Sequence, residues 1–143
     1  MSVRALALAA LAATVLASGC GGGPSDEQQV RDTLGRYQRA TATRDYRQLC
    51  DQVLSRALVA RLARVNLPCE QALGMTAPVR QPALQVLKVK IMGSRALALV
   101  RSTAVGQPPS TDTFELVKDG GAWRISALAR PGPSPPRRPQ VGD

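Results

Sequence analysis

The chain has 143 residues, 44% hydrophobic but only 3% aromatic, with 19 Lys and Arg against 10 Asp and Glu, no histidine and a formal charge of +9. That length allows one domain with one modest core. Without histidine the chain lacks the usual general base and metal ligand. With Tyr37, Tyr46, Phe114 and Trp123 as its only aromatics it has few platforms for stacking bases, so neither metal, cofactor nor nucleic acid is expected.

The first element is an address. Arg4 precedes an apolar run from Ala5 to Ala17 that is too short to span a bilayer and reads as the n- and h-regions of a secretory signal. The following Leu16-Ala17-Ser18-Gly19-Cys20 resembles a bacterial lipobox. The resemblance implies cleavage after residues 1–19, a diacylglyceryl group on Cys20, and a tether over residues 20–24. The expected location is the outer face of the bacterial cytoplasmic membrane, reached through lipidated Cys20. Each buried methylene contributes about 0.8 kcal/mol, and two acyl chains hold a protein stably where one does not. The tether spans at most roughly 3.3–3.6 Å per residue, so the domain is expected close to the headgroups. Loss of Arg4 lowers the charge by one, and the remaining excess suits anionic lipid or wall polymer as partners.

Assigning Cys20 to lipid leaves Cys50 and Cys69, an even pair in an oxidising compartment. A bridge between them closes a loop of about 20 residues, worth roughly 3 kcal/mol in the chain-entropy model. A catalytic thiol is disfavoured, because no histidine is present to activate it.

Ser25-Asp26-Glu27-Gln28 reads as a capping box, with two acids suited to the positive end of a helix dipole. Val30, Leu34 and Tyr37 then form one apolar stripe on a helix of about 18 residues, with Arg31, Arg36 and Arg39 facing solvent. Asp45 is the expected N-cap of a second helix, whose Tyr46, Leu49, Cys50 and Val53 place Cys50 on the buried face. Ser55 restarts a third helix with Leu54, Leu58, Leu62 and Val65 as its stripe. Pro68 to Gly74 make a short helical turn.

From Pro82 the period changes to two. Leu87, Val89 and Ile91 form an apolar face backed by Lys88 and Lys90. Gly93-Ser94 is a tight turn, and the chain returns as a strand with Ala96, Ala98 and Val100 on one face and Leu97 and Leu99 on the other. Gly106, Pro108 and Pro109 read as a loop. A second hairpin follows, with Phe114 and Leu116 sharing one face and Trp123, Ile125 and Ala127 another. The Pro- and Arg-rich residues 130–143 read as a disordered tail.

Helices followed by an antiparallel meander indicate an α+β domain, with N-terminal helices packed on a curved antiparallel sheet of about four strands. At Asp119-Gly120-Gly121-Ala122-Trp123-Arg124-Ile125 the chain resembles the last hairpin of nuclear transport factor 2-like domains. The helix carrying Val30, Leu34 and Tyr37, followed by Arg44-Asp45-Tyr46, is similar to the family's first helix and the segment after it. The resemblance covers residues 25–129. It implies a cone with a pocket at its wide end, for which Tyr37, Phe114 and Trp123 are the candidate lining residues. Family isomerases and polyketide cyclases place Asp, His or Tyr inside the cone. Here there is no His, and the sheet carboxylates Asp112 and Glu115 are read as lying opposite the Phe114–Leu116 face. No catalytic residue is therefore assigned. The expected function is a non-catalytic module that binds a small ligand or a protein. The alternative is a small isomerase- or cyclase-type enzyme using Tyr37 with a carboxylate.

Overall fold

A computed structural model describes the backbone of residues 22–131 and the side chains of residues 22–127. The expected signal peptide, Cys20, and the tail beyond Pro131 lie outside the described residues.

The chain forms α1 (Asp26–Thr43), α2 (Tyr46–Gln48) running into a π-helical turn (Leu49–Val53), α3 (Arg56–Arg64) and α4 (Cys69–Gly74). It then forms β1 (Ala83–Met92), β2 (Arg95–Ala104), β3 (Gln107–Asp119) and β4 (Ala122–Pro131), an antiparallel sheet in the order β1-β2-β3-β4. The architecture is α+β, helices first and then one curved, open sheet. Among the described residues no helix is long and apolar enough to cross a membrane.

Helix α1 starts as its sequence dictates: Ser25 Oγ accepts from the Gln28 backbone N–H at 3.2 Å. The box is not reciprocal, however. The Gln28 side chain donates forward to Asp32 (2.9 Å), and Gln29 Nε2 reaches back to the Pro24 carbonyl (2.8 Å). Val30, Thr33, Leu34 and Ala40 make the buried face. Strand β2 contributes the small side chains Ala96 and Ala98, both fully buried, to the same core. The outer strands β1 and β4 rise on either side of the helix.

Extra residues on those two strands accompany the curvature, since a bulge bends the strand that carries it. In β1 Val86 faces Val100 and Lys88 faces Leu99, so Leu87 is left without a partner. Leu87 is accordingly 46% exposed, which corrects the face assigned to it. The inward residues are Leu84 and Val86 before the bulge and Val89 after it. In β4 the register slips between the Leu116–Ile125 and Glu115–Ala127 pairs. Trp123 and Ile125 are buried as expected, but Ala127 pairs with Glu115 and leaves their face.

Four further expectations change. Pro108 and Pro109 belong to β3, at an irregularity where neither is paired with β2 and before pairing with β4 begins at Asp112, so the missing amides cost no ladder bond. Val65 ends α3 at 69% exposure rather than continuing its stripe. Leu54 is buried outside the helix, where it makes a parallel bridge to Ile125 and covers the free edge of β4. Strand β4 also runs through Arg130 and Pro131, two residues beyond the expected domain end.

Cys50 and Cys69 form a disulfide with their Cα atoms 6.0 Å apart. It ties the π-helical turn to α4, with Cys69 buried and Cys50 half-buried.

Candidate functional site

The C-terminal half of α1 and the β2–β3 end of the sheet enclose a pocket of about 190 Å³. Tyr37 and Thr41, one helical turn apart, enter from α1. Leu84 and Pro82 come from the start of β1 and the residue before it, Ser102 and Ala104 from β2, and Ser110 and Phe114 from β3. Tyr37 packs edge-on against Phe114, with ring centroids 5.5 Å apart and planes at 67°. Two of the three expected pocket residues are thus brought together.

Burial pushes the Tyr37 phenol above its ordinary range, while the neighbouring Thr41 hydroxyl opposes the shift. At neutral pH Tyr37 is therefore a protonated hydrogen-bond donor and not a base. Thr41 Oγ1 is buried yet makes no hydrogen bond of acceptable geometry. Buried hydroxyls normally have a partner, and those without one call for an explanation. A phenol and an unsatisfied hydroxyl in an otherwise largely apolar wall can hold a small molecule with one or two polar atoms. The volume is below the roughly 300–1,000 Å³ of drug-sized sites, so the occupant would be small.

Trp123 does not reach this pocket. It lies at the opposite end of α1, where its indole Nε1 donates to Asp26 Oδ1 at 2.9 Å and Lys118 Nζ stands 5.5 Å over its ring. The reason is direction: the Gly120-Gly121 turn starts β4 at the end of the sheet where α1 begins. Asp112 also needs correction. With a period of two it shares the face of Phe114 and Leu116, and it stands opposite buried Val100. There its carboxylate accepts from Ser110 Oγ at 2.7 Å, at the rim of the pocket. Glu115 does face away from Phe114. The sequence does not single out Thr41 and Ser110, since an isolated hydroxyl carries no spacing signal. Among the described residues no three Cys, Asp or Glu side chains converge as metal ligands.

A second concavity, of about 440 Å³, runs between α1 and the β3–β4 turn, with Trp123 at its floor. Arg36, expected in solvent, is half-buried there. Its Nη2 donates to Thr33 Oγ1 at 2.9 Å, while Thr33 is itself fully buried and bonded to the Trp123 carbonyl (3.0 Å).

No family model and no curated protein matches the chain. Among solved structures, an NTF2-like protein of unknown function from Shewanella baltica OS155 is 15% identical with a TM-score of 0.46, covering 77% of this chain and all of its own. The Kfla4162 protein from Kribbella flavida is 18% identical with a TM-score of 0.47, covering 71% of this chain and 86% of its own.

Proposed function

We propose that this chain is a lipid-anchored protein of the outer face of a bacterial cytoplasmic membrane, with a nuclear transport factor 2-like domain that binds a small ligand without turning it over. The observation that carries the binding reading is the pair Tyr37 and Thr41 in the pocket: one neutral donor and one buried, unsatisfied hydroxyl against an apolar wall that includes Phe114 and Leu84. The membrane address rests on the lipobox-like Leu16–Cys20. A small isomerase or cyclase is the second reading, favoured by Asp112 lying on the same sheet face as Phe114, where it could join the Tyr37 phenol. General acid–base chemistry contributes about 10²–10⁴-fold to a rate, so the two readings separate cleanly. Mass spectrometry of the protein purified from its own membrane should find a small molecule retained, and Tyr37→Phe should keep the fold while weakening that binding by about fivefold, the worth of one hydrogen bond. Turnover of the retained molecule that falls by about 100-fold in Tyr37→Phe, with stability unchanged, would reverse the reading in favour of the enzyme.

A further inference from the structure

We infer that the groove between α1 and the Gly120-Gly121 turn is a binding site for the phosphodiester of an anionic, hydroxyl-bearing lipid headgroup. The inference rests on the membrane location proposed above and adds a second, direct contact with that membrane. Three observations carry it.

Among the described residues Arg36 and Arg39 make no ion pair, although the Asp32 carboxylate lines the same groove. Arg31 is already engaged, by Glu27 at 2.8 Å and by the Val86 carbonyl at 3.1 Å. Arg36 has only the neutral Thr33 hydroxyl, and its Nε is sealed from solvent with no acceptor. Arg39 has no acceptor among the described residues. A half-buried guanidinium held by a neutral partner is costly, and a phosphate oxygen on its remaining N–H groups relieves that cost with short, charge-assisted bonds.

Gly35 sits in the interior of α1, where glycine is disfavoured. A Cβ there would come within 3.4 Å of Arg39 Nη1. That is ordinary van der Waals distance, so the Arg39 guanidinium lies back against the helix at Gly35, and both line the groove with Arg36. Asp32, also lining the groove, accepts from Gln28. Its carboxylate repels a second negative charge but can accept from a headgroup hydroxyl, so the site fits a singly charged polyol phosphodiester.

The groove follows α1 away from its N-terminal end, where the chain joins the proposed anchor. Trp123, its floor, is hydrogen-bonded to Asp26 in the first turn of α1. From Cys20 to Ser25 the chain can span at most roughly 16–18 Å. Headgroups of the anchoring membrane are therefore within reach of the Asp26 end of α1, from which the groove extends along the helix to Arg36 and Arg39.

The test uses the chain from residue 20 onward with Cys20→Ser, which keeps every described residue and removes the lipid. Sedimentation with phosphatidylglycerol–phosphatidylcholine vesicles should show binding that pure phosphatidylcholine does not. Glycerophosphoglycerol, the deacylated headgroup, should compete. The pair Arg36→Gln and Arg39→Gln should weaken binding by about tenfold or more, while the charge-matched pair Arg80→Gln and Arg101→Gln changes it by less than about twofold. If the Arg36 change unfolds the domain, Arg39→Gln alone carries the comparison, with a loss of about threefold or more expected. Equal losses from both pairs would mean a diffuse basic surface and overturn the site. Binding of glycerophosphoglycerol without vesicle affinity would make the source a soluble phosphate ester and overturn the lipid assignment. Neither result depends on whether Cys20 is acylated in the cell.

Discussion

Trp123 on the last strand donates its indole N–H to Asp26 in the first turn of the first helix, at 2.9 Å. The two residues lie at opposite ends of the described chain, and their contact closes the domain. Lys118 adds an ion pair to the same carboxylate at 2.7 Å. Trp123→Ala removes both the hydrogen bond and the largest fully buried side chain. The expected cost is about 3–5 kcal/mol, a large share of the roughly 5–15 kcal/mol available to a domain. Urea unfolding monitored by circular dichroism measures it. A cost below about 1 kcal/mol would contradict the burial of this side chain.

Acid should loosen the same corner. Hydrogen bonds from Lys118 and then Trp123 hold the Asp26 carboxyl below its ordinary 3.8. The Arg56 side chain, and then its backbone N–H, do the same for Asp119. A depressed folded value means the contribution is complete above 3.8 and is lost as pH falls toward the folded value. The urea midpoint of the native chain should therefore drop as pH falls below 3.8. Asp26→Asn combined with Asp119→Asn should start lower and fall less steeply. Parallel curves for the two proteins would show that these carboxylates do not govern acid unfolding.

The disulfide should be found in exported protein as a Cys50–Cys69 peptide under non-reducing digestion. Cys50→Ser with Cys69→Ser should cost about 3 kcal/mol, as expected for a loop of this size. Hydrogen exchange should then rise first in α4, which the bridge ties to the π-helical turn, and last in β2 and β3. Free thiols at both positions in protein exported by the native host would refute the assignment.

The anchor is tested in the cell. Cys20→Ser should release the protein from membranes or leave it unprocessed. A variant that matures normally and remains membrane-bound would show that Cys20 is not the attachment point.

Gly120 should tolerate no side chain. Its φ is +63°, and a Cβ would come within 2.9 Å of Arg56 Nη2, displacing a guanidinium whose Nε donates to Asp119 at 2.7 Å. Gly120→Ala should cost about 1 kcal/mol or more through backbone strain alone. Replacing Gly23, which has open space and no such strain, should cost little. Thermal melts of the two variants provide the comparison.

The elements legible from the sequence are those governed by neighbours along the chain. Ser25, Asp45 and Ser55 each cap a helix because the hydroxyl or carboxylate reaches a backbone N–H three residues on. Gly93 and Gly120 mark turns because only glycine adopts positive φ there without strain. The alternation of Ala96, Ala98 and Val100 sets the inner face of β2, and the pairing of Cys50 with Cys69 follows from counting cysteines. What the tertiary structure decided depends on partners distant in sequence. Leu87 and Ala127 leave their expected faces because bulges shift register, and a bulge is set by the facing strand and by curvature over α1. Leu54 is core because Ile125 stands beside it, although 71 positions separate them in the sequence. Trp123 lies away from Tyr37 and Phe114 because α1 runs from the β3–β4 turn toward the β2–β3 end of the sheet. Arg36 is half-buried because the β4 turn folds over it. Local pattern fixes which groups a residue can satisfy nearby; only the packed sheet decides which face, which end and which neighbour it receives.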